Sequence, residues 1–299
     1  MCITSTTNTT SSSSSSSPSI IPPSYTPEYE RKKNVMWAII AGWFALYILL
    51  LIPGATLHAD PSLCTNHPHT TTPPNQQHCS RPDLFAFEII CITAFLTLAY
   101  LTIPAYYGTR TQPSVYKSIA STTPEGRLYG YIDCSVEVST VFVAFQVWDF
   151  LISPMIPEFF TGVMMVHHLL AGIGGWFCLQ HQHFHYYAAF YLGLSEISSI
   201  PLVLMTLSNY FPPPPNTIYS TIATLAGPAF ALTFGYFRVY QWGKLSIRLW
   251  LDCYYVLSKG VAEQYRPGKS YVLYSTLVIT ALLSGLQLYW FSLILQRVG

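Results

Sequence analysis

Two adjacent histidines, His167 and His168, lie near the middle of an apolar run from Phe159 to Leu179, and Glu196 lies near the middle of the next such run, 28 residues past His168. Ionisable side chains at bilayer depth are costly, turn toward a cavity or a partner, and mark functional sites by default. An imidazole carries protons near neutral pH. A carboxylate accepting from one ring N–H fixes the tautomer and raises the basicity of the other nitrogen. Glu196 would do this for one histidine if the two runs pair as antiparallel helices. Each histidine lies roughly 12–14 Å along its helix from Phe159, by the 1.5 Å rise per residue, and Glu196 lies at a comparable depth. Successive helical residues are about 100° apart, so one histidine would face a cavity while the other braces it. The alternative is a buried polar bridge that only holds two helices together.

Five of the 13 acids fall inside apolar runs: Glu88, Asp133, Glu137, Asp149 and Glu196. No Lys or Arg lies centrally in any run to pair with them, so they are expected to be protonated, hydrogen-bonded, paired with histidine or facing water. Asp133 and Glu137, four apart, share a helix face near an aqueous end. Pro201 lies five residues past Glu196, removes the hydrogen bond to the Ile197 carbonyl and would bend the helix beside the acid; Pro228 acts likewise one run later. His181, His183 and His185 form the run HQHFH. His181 and His185 have the i, i+4 spacing of a metal pair. The other histidines, His58, His67, His69 and His78, lie on the opposite membrane side in the orientation below. An exposed polar turn is therefore expected, with no metal and no cofactor.

The elements that position these residues are membrane helices. The 299-residue chain is 51% hydrophobic and 9% charged, against about 25% charged in soluble domains. A net charge of +1 excludes electrostatic nucleic-acid binding as a main purpose. Seven stretches reach the roughly 20 apolar residues of a membrane helix: Val35–Ile52, Leu84–Ile103, Leu128–Ile152, Phe159–Leu179, Tyr186–Leu207, Ile218–Tyr240 and Tyr271–Leu295. Gly172, Gly174 and Gly175 give the fourth a small-residue face for close packing. Residues 1–30, rich in Ser, Thr and Pro with the run Ser11–Ser17, cannot bury a core and read as a disordered tail without a signal-peptide apolar region.

With the N-terminus in the cytosol, 12 of the 14 basic residues fall on the cytosolic side and only Arg81 and Arg297 oppose them, as the positive-inside rule requires. The cytosolic set includes Arg238, Lys244 and Arg248. The segment Trp242–Lys269 alternates basic and aromatic residues, and would lie along the membrane surface or form a solvated loop. Seven cysteines are scattered without a CxxC. Cys91, Cys134 and Cys178 are expected to pack in helices. Cys64 and Cys79 flank a Pro-rich loop and are candidates for a lumenal disulfide.

The stretch from Tyr129 to Leu202 resembles the TLC (TRAM, LAG1, CLN8) domain family. The resemblance is carried by MVHHLLAGIGGWFCLQ, residues 164–179, and FYLGLSEISSIPL, residues 190–202. A histidine pair followed by a Ser-Glu-Ile-Ser-Ser-Ile-Pro segment, with an aspartate like Asp149 in VWDF ahead of it, is the pattern of the TLCD-like branch. The resemblance implies an all-α polytopic membrane protein in which six helices, 84–295, bundle around a lipid cavity, with 34–54 as an extra N-terminal helix. It implies binding or handling of membrane lipid, with influence on lipid composition or trafficking, in the endoplasmic reticulum or another endomembrane. Asp149, Ser195, Glu196 and Pro201 would then line the cavity or orient its contents. In the ceramide synthase branch the histidine pair catalyses N-acylation of a sphingoid base by acyl-CoA, which would make His167 and His168 catalytic. That branch continues with a second His-Asp where this chain reads Ser195-Glu196-Ile197-Ser198-Ser199, which favours the non-enzymatic branch.

Overall fold

A computed structural model describes residues 27–60, 80–108, 114, 117 and 121–298. The expectations on the N-terminal tail and on Cys64 and Cys79 lie outside the described residues. Every regular element among those described is helical, and seven spans are long and apolar enough to cross a membrane: Asn34–Gly54, Pro82–Tyr107, Asp133–Met155, Gly162–His181, His185–Tyr210, Ile218–Ser258 and Ser270–Arg297. Large apolar side chains stand exposed on their outer faces, among them Ile48, Leu49, Ile52, Leu169, Leu232 and Leu288. In water so broad an apolar surface would drive aggregation; in a bilayer it is the solvent-facing side. The protein is an all-α, polytopic integral membrane protein.

The third span is the hub. It packs against the first, second, fourth and fifth spans and is the most buried of the seven. Trp43 and Tyr47 of the first span set ring edges against Phe145 and Trp148, at 5.9 and 6.1 Å between centroids. The fourth span approaches on its glycines. A Cβ on Gly175 would fall 2.9 Å from Val143 Cγ2 and 3.0 Å from Phe142 Cδ1, so only glycine lets the two backbones come this close.

Two boundaries differ from expectation. The third span begins at Asp133 rather than Leu128, because Pro124–Tyr129 forms a separate short helix and Gly130–Ile132 are not helical. The sixth does not stop at Tyr240. It continues as one helical course to Ser258, 41 residues, or roughly 60 Å at 1.5 Å per residue, about twice a bilayer core. Most of the segment expected to lie on the surface or form a loop is thus helix. Trp242, Leu245, Leu249, Cys253 and Val256 bury one face, and Lys244 and Arg248 are exposed on the other. Alternation of basic and aromatic residues is what this amphipathic pattern looks like when read along the chain.

Candidate functional site

The fourth span starts at a Thr161 cap, whose hydroxyl accepts from Met164 N–H, and carries the histidine pair in its second turn. His168 turns to the third span and is buried. Its Nδ1 lies 2.8 Å from Gln146 Oε1 and its Nε2 3.4 Å from Asp149 Oδ2. Gln146 and Asp149 are three residues apart on one helix face, so a single face holds the ring at both nitrogens. Ser153 donates a hydrogen bond to Asp149.

His167 turns the other way. It lines a cavity, sets its ring at 5.0 Å from Trp290 of the seventh span, and its buried Nδ1 has no hydrogen-bond partner. The two histidines therefore invite different substitution effects. His168→Ala strands Gln146 and Asp149 in the core and should cost roughly 1–3 kcal/mol of stability. His167→Ala breaks no hydrogen bond and should melt close to wild type. Equal destabilisation by both would show that the pair acts as one structural unit.

Glu196 meets an arginine rather than a histidine. The fifth span changes winding three times: a π turn over Ala189–Gly193, a 3₁₀ stretch over Leu194–Ser198, and a regular α-helix from Ser199. Pro201, the third residue of the regular segment, cannot donate to the Ile197 carbonyl, which accounts for part of the irregularity. The facing part of the sixth span, Phe234–Gln241, is also a π stretch and carries Arg238. Such turns re-aim side chains and recur at functional sites. Arg238 Nη2 lies 2.6 Å from Glu196 Oε2. Its Nη2 and Nε also donate to the Ser199 and Ser198 hydroxyls at 2.9 and 3.0 Å, while Ser199 donates to Glu196 Oε2 at 2.9 Å. Ser195 turns away and donates to the Tyr191 carbonyl at 2.9 Å. The expectation that no basic residue lies centrally in a span to pair with the acids is corrected here: Arg238 is central in the Ile218–Ser258 course, pairs with Glu196, and leaves the set of cytosolic charges. A signal for it was present, since Arg238 stands between Phe237 and Val239 in an apolar and aromatic stretch.

His167, Glu196 and Arg238 line one cavity, partly open to the outside, between the third to seventh spans. Its other walls are mostly apolar, and each long wall is one helix face: Ala171, Gly174 and Cys178 on the fourth span, Ala188 and Leu192 on the fifth, Trp242 and Leu249 on the sixth, Ile279 and Leu283 on the seventh. From His167 to Cys178 the wall runs roughly 16 Å, at 1.5 Å per residue. The cavity is a shaft along the bundle, apolar over most of its length and polar at one end. Asp149 and His168 lie beside it rather than on its wall.

At the other end of the bundle, Asp252 accepts from Arg127 at 2.6 and 2.5 Å and from the Tyr187 hydroxyl at 2.5 Å. The run His181–His185 is not the exposed turn expected. His183 and His185 are fully buried. His185 Nδ1 accepts from Ile132 N–H at 3.1 Å, leaving Nε2 to donate to the Cys178 carbonyl at 3.1 Å. His183 Nδ1 donates to the His181 carbonyl at 2.7 Å, and burial lowers its pKa to about 3. These rings tie the reversal between two spans to the short Pro124–Tyr129 helix and the start of the third span, a structural task. Among the described residues no cluster of three or more His, Cys, Asp or Glu side chains could hold a metal ion.

No curated protein and no solved structure matches the chain significantly. The sequence profile TRAM_LAG1_CLN8, the TLC domain, matches residues 30–296, a range that takes in the first span with the other six. Seven helical spans, a histidine pair on the fourth with His167 on the shaft wall, and a profile match over nearly the whole chain lead to one identification: the chain belongs to the TLC domain family.

Proposed function

We propose that this protein binds a membrane lipid in the shaft between its third and seventh spans and through it influences membrane lipid composition or trafficking. The observation that carries the reading is the shape and chemistry of the cavity: apolar walls along four helices, ending at His167 and the Glu196–Arg238 pair. An acyl chain suits the walls, and a headgroup suits the polar end. The family covers lipid-handling membrane proteins, ceramide synthases among them. In this reading the site residues are His167, Glu196 and Arg238, with Asp149 and His168 as their support. Lipid retained by protein purified from native membranes, identified by mass spectrometry, tests it. Wild type should carry a single-chain or acyl-bearing lipid in fixed ratio. Ala171→Phe, which fills the shaft, should fold and lose that lipid. Equal lipid content in both proteins would refute the proposal.

A second reading, an N-acyltransferase joining acyl-CoA to a sphingoid base, is favoured by one observation: His167 is a cavity-wall residue whose buried Nδ1 makes no hydrogen bond within the protein, leaving it open to act as a base or acyl acceptor. Purified wild type supplied with acyl-CoA and a long-chain base should give no product on the lipid-binding reading. Turnover that His167→Ala abolishes at equal stability would establish the enzyme instead.

We further propose a cytosolic N-terminus in an endomembrane such as the endoplasmic reticulum. The support is the distribution of basic residues, which survives the reassignment of Arg238. Asn8-Thr9-Thr10 is a glycosylation sequon. On a cytosolic tail it stays unmodified; a glycosidase-sensitive mass shift lost in Asn8→Gln would reverse the orientation.

A further inference from the structure

At the polar end of the shaft, and one helical turn beyond its wall, lie groups that the protein itself leaves unsatisfied. Thr276, Thr280 and Leu283 of the seventh span line the cavity. Gln287 follows them at helical spacing, four residues past Leu283, and so continues the same face one turn further. It is 1% exposed, and neither its Oε1 nor its Nε2 has a hydrogen-bond partner. Helix register places it near the other polar groups. The ring of Trp290 meets His167, and Trp242 donates to Ser284 at 3.0 Å, which sets Arg238 close to the level of Gln287. Two side chains near one level of the bundle thus hold unmet donor and acceptor atoms: His167, on the shaft wall, at Nδ1, and Gln287, one turn past Leu283, at both ends of its amide. Leaving such groups unpaired at bilayer depth is costly.

The charges at this end are in the opposite condition. The Arg238 guanidinium is matched by Glu196 and further bonded to Ser198 and Ser199. An anionic or cationic headgroup would bring a charge that nothing there compensates. An uncharged polar headgroup would satisfy the open hydrogen-bonding atoms without adding charge.

We infer that the polar end of the shaft selects an uncharged lipid headgroup carrying both a hydrogen-bond donor and an acceptor, such as a carboxamide, and that Gln287 and His167 hold it. The inference rests on the lipid-binding reading and adds the class of headgroup.

The test uses the full-length protein in phosphatidylcholine nanodiscs and three probes with the same octadecenyl chain: oleamide, oleate and oleylamine. Oleamide should bind about tenfold more tightly than either charged probe, the effect of one or two well-made hydrogen bonds. Gln287→Leu should remove that preference while binding of the chain persists. The variant should melt no lower than wild type, because Gln287 makes no hydrogen bond within the protein; Gln287→Met provides a second replacement of similar length. A preference that survives both variants overturns the inference, since the amide would then be satisfied by something other than the ligand. Equal binding of all three probes, blocked by Ala171→Phe, overturns the headgroup inference and leaves the lipid cavity standing. Binding of none of them, or binding indifferent to Ala171→Phe, defeats both.

Discussion

Arg238→Met should be among the most damaging single substitutions in the bundle. It removes the cation that faces Glu196 at 2.6 Å and strands the carboxylate, with Ser199 as its remaining donor, between the fifth and sixth spans. Removing one member of a buried ion pair costs roughly 3–5 kcal/mol, whereas replacing both with neutral groups is often nearly harmless. The double variant Glu196→Gln with Arg238→Met should therefore recover most of the melting temperature that Arg238→Met loses. Both measurements belong in the same detergent or nanodisc. If the double variant melts as low as the single one, the π stretches at Ala189–Gly193 and Phe234–Gln241 depend on the charges themselves. If the single variant melts like wild type, the pair does not anchor the end of the shaft.

Asp252→Leu should have a comparable effect at the opposite end. Asp252 is buried and receives two donors from Arg127 and one from Tyr187. The guanidinium, its pKa raised by this carboxylate, stays charged and loses its counterion in the variant. The expected loss is again about 3–5 kcal/mol. Tyr187→Phe removes one hydrogen bond to a charged group and should cost about 1.5–3 kcal/mol. Thermal melts of the two variants side by side would separate ion pair from hydroxyl. A smaller effect for Asp252→Leu than for Tyr187→Phe would contradict this account of how the short Pro124–Tyr129 helix is held against the sixth span.

Much of the fold could be read from the chain because a bilayer imposes its own length on apolar runs, and each of the seven spans announces itself by that length. The ends were less legible. Leu128 and Tyr129 are apolar enough to extend the third span, but Pro124 and Gly130 cut them into a separate helix, which hydropathy alone does not register. Hydropathy ends the sixth span at Tyr240 because it falls where a helix becomes amphipathic, although the helix does not end there. The histidine pair and Glu196 were conspicuous as ionisable residues in apolar surroundings. Their partners were not, because pairing depends on winding. The π and 3₁₀ turns around Gly193 rotate Glu196 toward Arg238, and no local propensity signals that rotation. Arg238 falls two residues inside the end of the Ile218–Tyr240 run and so counts with the cytosolic charges; only the longer helical course to Ser258 makes it central. His183 and His185 looked like a solvated turn because histidines between two spans ordinarily meet water; here the Pro124–Tyr129 helix covers them, a tertiary contact across more than 50 residues.

The central claim is that lipid occupies the shaft and not only the outer surface of the bundle. The most direct measurement is photolabelling of the full-length protein in membranes with a single-chain lipid carrying a diazirine along its chain, followed by peptide mapping. The expected labels fall on the inward residues Ala171, Leu192, Leu249 and Leu283, and Ala171→Phe suppresses them. Labels confined to the outward residues Leu169, Leu232 and Leu288, unchanged in Ala171→Phe, would contradict the claim.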